Sequence, residues 1–366
     1  MQVPFGDMTR HYLAIQAEID AAVSRVLHSG WFVLGHEVQA FEAAFAHYLG
    51  VRHAIGVGSG TEALHLALVA SGIQPGDEVL TVPNTAVPTL SAISFAQAIP
   101  VMVDIEPDSF CIDVRRIEEK ITPRTRAIIP VHLYGNACRI EEVMAIARHH
   151  NLTVIEDACQ AHGARRNGRI VGTLGAYGCY SFYPSKNLGA FGDGGMVVTD
   201  DDARAQQILL LRNYGQIERY YHEIKGFNSR LDDMQAAILA AQLPHLEEWN
   251  RRRREIAALY DRAITHPGIT LPRQQEGSEH VYHLYVVRCS RRDALRRYLA
   301  DHGIGTQIHY PVPCHLQNAY RDLGAGPGTC PVAEQYAGEV LSLPIYPEMR
   351  DEEVLHVAAT INQFEG

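Results

Sequence analysis

Residues 51–82 read VRHAIGVGSGTEALHLALVASGIQPGDEVLTV, and their texture decides the fold. A short apolar run (VRHAIGV, 51–57) stops at glycines and a serine, and TEALHLALVASG (61–72) then repeats apolar residues at helical spacing. DEVLTV (77–82) is short and apolar again, and a second helical stretch follows near 87–96. The alternation continues through IPVMVDI (99–105), RAIIPVHLYG (126–135), LTVIED (152–157) and YGCYSFY (177–183). Short runs that are apolar on both faces, with helical segments between them, are what buried parallel strands require. The expectation is an α/β protein on a mostly parallel sheet covered on both sides. In such sheets ligands sit beyond the carboxyl ends of the strands, so the residues just after each strand carry the functional reading.

Outward from this core, Val38, Phe41, Phe45 and Tyr48 recur at three- and four-residue steps and predict an amphipathic helix over 36–48. Downstream, a long helical pattern runs through residues 231–264, with Pro244 expected to kink or interrupt it. The run Arg251–Arg254 reads as structural, with Glu247 and Glu248 four residues before Arg251 and Arg252 in the favourable ion-pair order. HVYHLYVVRCS (280–290) predicts a strand, and RDALRRYLADHG (292–303) a helix ended by glycine. A chain of 366 residues suggests two domains, here a large one over 1–245 and a smaller α+β one over 246–366.

Bulk composition mostly excludes. A formal charge of −10 leaves no basic footprint for nucleic acid. It also cannot steer an anionic substrate, so a phosphate site must be built locally. Seven scattered cysteines without a C-x-x-C argue against a disulfide framework or a structural zinc site, and no metal is expected. The first residues lack a signal-peptide pattern and no apolar run approaches 18 residues, so a cytoplasmic chain without a membrane span is expected. The basic residues are uneven: three lysines (Lys120, Lys186, Lys225) stand against 29 arginines. Chemistry that needs a lysine amine has three candidate side chains.

Three motifs carry chemistry. In GVGSGTEAL (56–64) a strand ends, glycines follow and a helix opens at Thr61, which offers backbone N–H donors and a favourable dipole to an anion. The glycines do not fit the dinucleotide fingerprint, and no Gly-Lys-Ser/Thr follows as in a Walker A loop. In LTVIEDACQAHGA (152–164) a strand delivers Glu156 and Asp157 to its carboxyl end on opposite faces, and spacing does not choose between them. Asp157 could equally be a helix cap. In YSFYPSKNLGAFGDGGMVVTD (180–200) Lys186 follows a strand in a Ser/Pro/Asn loop, where a desolvated amine can serve as a Schiff-base nucleophile. Lys120 lies in a polar run and reads as surface, and Lys225 as a loop residue able to meet a phosphate. An anion cup, a strand-end acid and a loop lysine together describe a pyridoxal phosphate site.

The blocks GHEVQAFEAAFAHYLGV, GSGTEALHLAL, EDACQAHGA, SFYPSKNLGAFGDGG, KGFNSRLDDMQAAIL and IHYPVPCHLQNAY resemble the DegT/DnrJ/EryC1/StrS family of PLP-dependent nucleotide-sugar aminotransferases, in order and over about residues 3–345. The resemblance implies the aspartate aminotransferase fold (fold type I), with a large cofactor domain and a small C-terminal one. It implies that Lys186 forms the Schiff base and shuttles protons, that Asp157 pairs with the pyridine nitrogen, and that Gln160 contacts the ring 3-oxygen. Ser181 and the Gly60–Thr61 backbone would hold the phosphate, and Asn228 would reach the phosphate of the partner's cofactor in a homodimer with shared sites. Pyridoxamine phosphate would be the alternate cofactor form, and L-glutamate the amino donor.

NSRLDDMQAA and IHYPVP are similar to the branch that aminates C3 of dTDP-3-keto-6-deoxyhexoses, which places Tyr183, His309 and Tyr310 at the sugar and Lys225 and Arg230 at the diphosphate. Lys186 speaks against the family's dehydrase branch, where histidine stands there. Ala86 departs from the family's usual aromatic after the third strand. Amination at C4, and a PLP-binding regulator without turnover, are the alternative readings.

Overall fold

The computed structural model describes residues 1–365. The central sheet has seven strands: β1 (His53–Val57), β2 (Glu78–Thr81), β3 (Ile99–Met102), β4 (Thr125–Ile128), β5 (Thr153–Asp157), β6 (Tyr177–Ser181) and β7 (Gly195–Thr199). Their spatial order is β1-β7-β6-β5-β4-β2-β3. From β6 to β3 every pairing is parallel, and β7 alone runs against both its neighbours. The α/β class read from the alternating texture holds.

Both faces are covered because the strand residues are apolar in both directions. On one face Ile55, Ile155, Tyr177 and Val197 pack on Leu64 and Leu68 of helix Gly60–Ala70. On the other, Phe41 and Phe45 of helix His36–Leu49 meet Phe182 and Tyr180 with ring centroids 5.4 and 5.2 Å apart. Burying such rings contributes roughly 2–3 kcal/mol each. β4 is shorter than the apolar run 126–135: Pro130 cannot donate to a ladder, and the chain leaves the sheet there.

The long helical pattern is divided at the proline. Helix Asp233–Gln242 passes through a 3-10 turn, Leu243–His245, into helix Leu246–Ala263. A third core joins Ile256 and Tyr260 of that helix to Leu295 and Leu299 of helix Arg292–Asp301 and Val354 and Val357 of helix Asp351–Asn362. It closes on the antiparallel pair β8 (Tyr285–Arg288) and β9 (Val340–Leu343). The strand expected over 280–290 is confined to its second half. Before it the backbone turns through Tyr282 (φ +43°), and Val281 N–H donates to Gly135 rather than to a ladder.

The ion pairs of the arginine run differ from the expected Glu247–Arg251 and Glu248–Arg252 pairs. Glu247 accepts from the Tyr48 hydroxyl at 2.7 Å and lies 3.5 Å from Arg165. Arg251 pairs forward with Glu255 at 2.6 Å, and Arg252 with Asp351 at 2.7 Å. Arg251 keeps helix partners, Glu255 ahead and Glu248 at 3.7 Å behind, while Glu247 and Arg252 turn to tertiary ones; exposed helix pairs are worth only ~0.3–0.5 kcal/mol, too little to hold them. No helix among the described residues is long and apolar enough to cross a membrane.

Candidate active site

β1, β5 and β6 all end at one edge of the sheet, with antiparallel β7 between β1 and β6, and the three sequence motifs meet there. After β1, Ser59 caps helix Gly60–Ala70 by accepting from Glu62 N–H at 3.2 Å. Gly60 sits so close to the end of β6 that a Cβ on it would lie 2.6 Å from Ser181 Cβ and 2.9 Å from Cys159 Sγ. The helix start, Thr61 included, and the Ser181 hydroxyl therefore share one small cradle, which suits a phosphate at a helix N-terminus. Gly60→Ala should raise the dissociation constant of the bound anion at least tenfold, read by titrating cofactor into cofactor-free protein; unchanged affinity would remove the cradle from the site.

The Glu156/Asp157 pair is separated by the pleat. Glu156, fully buried, accepts from Gly172, Leu174 and Gly175 N–H at 2.8, 2.6 and 2.7 Å, with His132 Nε2 at 3.0 Å. Burial by itself pushes its carboxyl up, but His132 and the backbone donors outweigh this and hold it below the usual glutamate range. Asp157 on the other face accepts from Thr89 Oγ1 at 2.8 Å and from Cys159 N–H at 3.1 Å. Thr89 is itself within hydrogen-bond distance of Thr85, at 2.9 Å. Glu156 is thus consumed as a structural lock, and Asp157 is left at the edge with oriented oxygens.

Two measurements follow. Glu156→Gln should cost about 3–5 kcal/mol of stability in denaturant, because an ionised acceptor of several bonds becomes a partial donor. Because the folded carboxyl titrates below its unfolded value, its stabilisation is present above the ordinary glutamate pKa and is lost as pH falls through the folded one. Acid unfolding of the native protein should therefore show this loss below about pH 4.5, and the Gln variant should not.

Lys186 lies in the loop after β6. Its N–H donates to Tyr183 C=O at 2.9 Å, and Ala190 N–H closes the loop on Phe182 at 2.7 Å. The next residue, Asn187, donates to Asn250 Oδ1 at 2.8 Å and to the Val281 carbonyl at 3.0 Å, while its Oδ1 lies 3.3 Å from His283 Nδ1. Gly189 passes so near that a Cβ would lie 2.3 Å from Pro184 O, so this turn requires glycine. The Lys186 ammonium makes no salt bridge among the described residues; burial lowers its pKa, and the nearby Cys159 and Asp157 oppose that shift.

Lys186 opens into a cavity of about 420 Å³ that Tyr183, His283, His309 and Arg253 also line. Burial and Lys186 lower His309 to about 4, and its Nδ1 is 2.8 Å from Ser342 Oγ. Gln160 accepts from Tyr134 N–H at 2.9 Å and donates to the Tyr310 hydroxyl at 3.1 Å, and burial raises the Tyr310 pKa. The remaining candidates do not join this group within one chain. Asn228 and Lys225 are exposed, and Arg230 is held by Asn213 Oδ1 at 3.0 Å and lies over Tyr214. Lys120 is half-buried at the end of a 3-10 turn.

Residues the sequence reading missed are Thr89, Asn187, His283 and Arg253. Thr89 stands three residues after Ala86, in the first turn of the helix Pro88–Phe95 that follows the loop singled out for its lost aromatic. The others carry no local motif, since Arg253 is hidden inside a run of four arginines.

A mostly parallel sheet that ends in a glycine-lined helix start, a strand-end aspartate and a desolvated loop lysine is the arrangement of an α/β enzyme suited to a lysine-bound cofactor. The DegT/DnrJ/EryC1/StrS aminotransferase family model matches residues 13–362, and the chain belongs to that family. It is 49% identical to the erythromycin biosynthesis sensory transduction protein EryC1 of Saccharopolyspora erythraea over 362 residues, 99% of each chain. It is 47% identical to the dTDP-3-amino-3,4,6-trideoxy-alpha-D-glucose transaminase of Streptomyces venezuelae over 364 residues, 99% of this chain and 96% of the relative. The crystal structure of S. venezuelae DesV in complex with a ketimine intermediate superposes with a TM-score of 0.97 at 47% identity, covering 99% of this chain and 98% of that one.

Proposed function

We propose that the protein uses pyridoxal phosphate, with pyridoxamine phosphate as the alternate form, to aminate C3 of a dTDP-linked keto-deoxyhexose, with L-glutamate as donor. The observation that carries this reading is the single-edge arrangement of Gly60, Asp157 and Lys186. Its residues fit the cofactor: the cradle closes on Gly60, which tolerates no Cβ, Asp157 presents buried oxygens, and Lys186, near Asp157, makes no salt bridge among the described residues. The choice of C3 is supported by the transaminase relative, whose name places the amine at that carbon.

When bound, the cofactor supplies an electron sink for breaking bonds at the amine-bearing carbon. The protein supplies the rest. Thr61, the Gly60 backbone and Ser181 hold the phosphate end, and Asp157, oriented by Thr89 and the Cys159 amide, keeps the ring nitrogen protonated. Gln160, fixed between Tyr134 and Tyr310, meets the ring's oxygen edge. Lys186 Nζ takes and returns the proton at the reacting carbon, and its lowered pKa leaves more of it in the neutral, proton-accepting form. Tyr183, His309 and Tyr310 enclose the sugar, and Lys225 and Arg230 meet the diphosphate. Those two, and Asn228, act across a homodimer in which Asn228 reaches the partner's phosphate. The chain divides functionally at 245/246 and works in the cytoplasm.

Incubation with L-glutamate and a panel of dTDP- and UDP-linked 3-keto and 4-keto sugars, followed by NMR location of the new amine, tests the assignment. Amine at C4, or no product from any sugar, overturns it. The name of the S. erythraea relative favours a second reading as a regulator. Absence of any cofactor spectral change with amino donors would select it.

Thr89→Val removes one donor to Asp157 and nothing else that is charged. It should lower kcat about five- to twentyfold at a stability cost of about 1–3 kcal/mol for the partners left unmet, and an unaltered kcat would detach Thr89 from the site.

A further inference from the structure

The cavity below Lys186 contains a cation the reading above does not use. Arg253, on helix Leu246–Ala263, is 6% exposed and lines this cavity. Its Nη1 is shared among the carbonyls of Tyr282, His283 and Ile345 at 3.1, 3.4 and 3.0 Å, while its Nε is buried with no partner. No carboxylate pairs with it among the described residues. Glu348 also lines the cavity and attracts it from a distance, but spends its carboxylate on His11 Nδ1 at 2.7 Å. Beside Arg253 stand His283, buried, and His309, half-buried, both near Lys186. A wall of cationic and neutral donors that holds an unpaired buried guanidinium is incomplete, since such charges are normally matched.

We propose that Arg253 is the carboxylate-binding subsite for the amino-acid donor of this enzyme, gripping a donor carboxylate while the donor's amine reaches toward Lys186. This rests on the aminotransferase reading, and adds to it the group that selects amino acids over simple amines. Carboxylates suit the position because a guanidinium presents a planar fork with donors to spare. The donor's carboxylate also balances the charge that Glu348 leaves unmatched. Simple amines, lacking the carboxylate, gain nothing from Arg253.

The experiment uses the cofactor-loaded enzyme. Glutarate, which has no amine to react, is titrated calorimetrically into wild type, Arg253→Lys and Glu348→Gln. In parallel, the two half-reactions are followed separately by cofactor absorbance, one with L-glutamate and one with the keto sugar. Arg253→Lys should weaken glutarate and L-glutamate about ten- to hundredfold while leaving the keto-sugar half-reaction within about threefold. Glu348→Gln, which removes the competing charge without touching the carbonyl contacts, should tighten both by a few-fold. Equal losses in both half-reactions, or glutarate binding indifferent to both variants, would overturn the subsite and leave Arg253 as a brace for the carbonyls. If wild type binds glutarate through Arg253 but no amino acid alters the cofactor spectrum, the subsite stands and the aminotransferase reading fails.

Discussion

Lys186→Ala should abolish turnover, by at least about a thousandfold, and should remove the absorbance band of the lysine-linked cofactor. General acid–base work alone accounts for about 10²–10⁴ in rate, and in the proposed function this lysine also provides the covalent anchor. Neither of the other two lysines can substitute, since Lys225 is exposed and Lys120 lies at the end of a 3-10 turn, outside the cavity. The loop itself should survive, because its closure uses backbone groups and the Asn187 side chain rather than the ammonium. Added alkylamines should restore part of the lost rate if the missing element is a proton carrier. A variant that keeps its band and its rate would disprove the assignment of Lys186.

Asp157→Asn comes second in expected effect. The carboxylate is held by Thr89 and the Cys159 amide, both of which an amide oxygen can still engage in part, so the fold should be little disturbed. The change removes the negative charge that would hold a proton on the ring nitrogen. Loss of one preorganised electrostatic partner in a buried site costs about 2.7–4 kcal/mol, or 10²–10³ in kcat. Denaturation midpoints measured beside kcat separate the two effects, and a variant with wild-type kcat would place the ring elsewhere.

Much of this was legible in advance because it is local. The alternating texture of residues 51–183 gave strands and helices without knowledge of their neighbours, and the scarcity of lysine reduced the amine question to three positions. The choice between Glu156 and Asp157 was not local. It depends on which face meets Gly172–Gly175 and His132, groups that reach Glu156 only after folding. The half-strand at 280–284 failed for a similar reason. Its β-rich composition is real, but Gly135, Asn187 and Arg253 take its backbone groups before a ladder can. Arg253 was invisible because a run of arginines on a helix reads as solvated, and only the packing of residues 282–283 and 345 buries one of the four.

The Asn187 tether has a bearing on recombination between relatives. Asn187, the residue after Lys186, is bonded to Asn250, Val281 and His283, three groups far along the chain. A crossover near residue 245 would therefore bring two lineages together at this joint. Chimeras should retain a positioned lysine when the incoming segment supplies matching polar groups at 250 and 283, however little the rest of it resembles the original, and lose it when it does not.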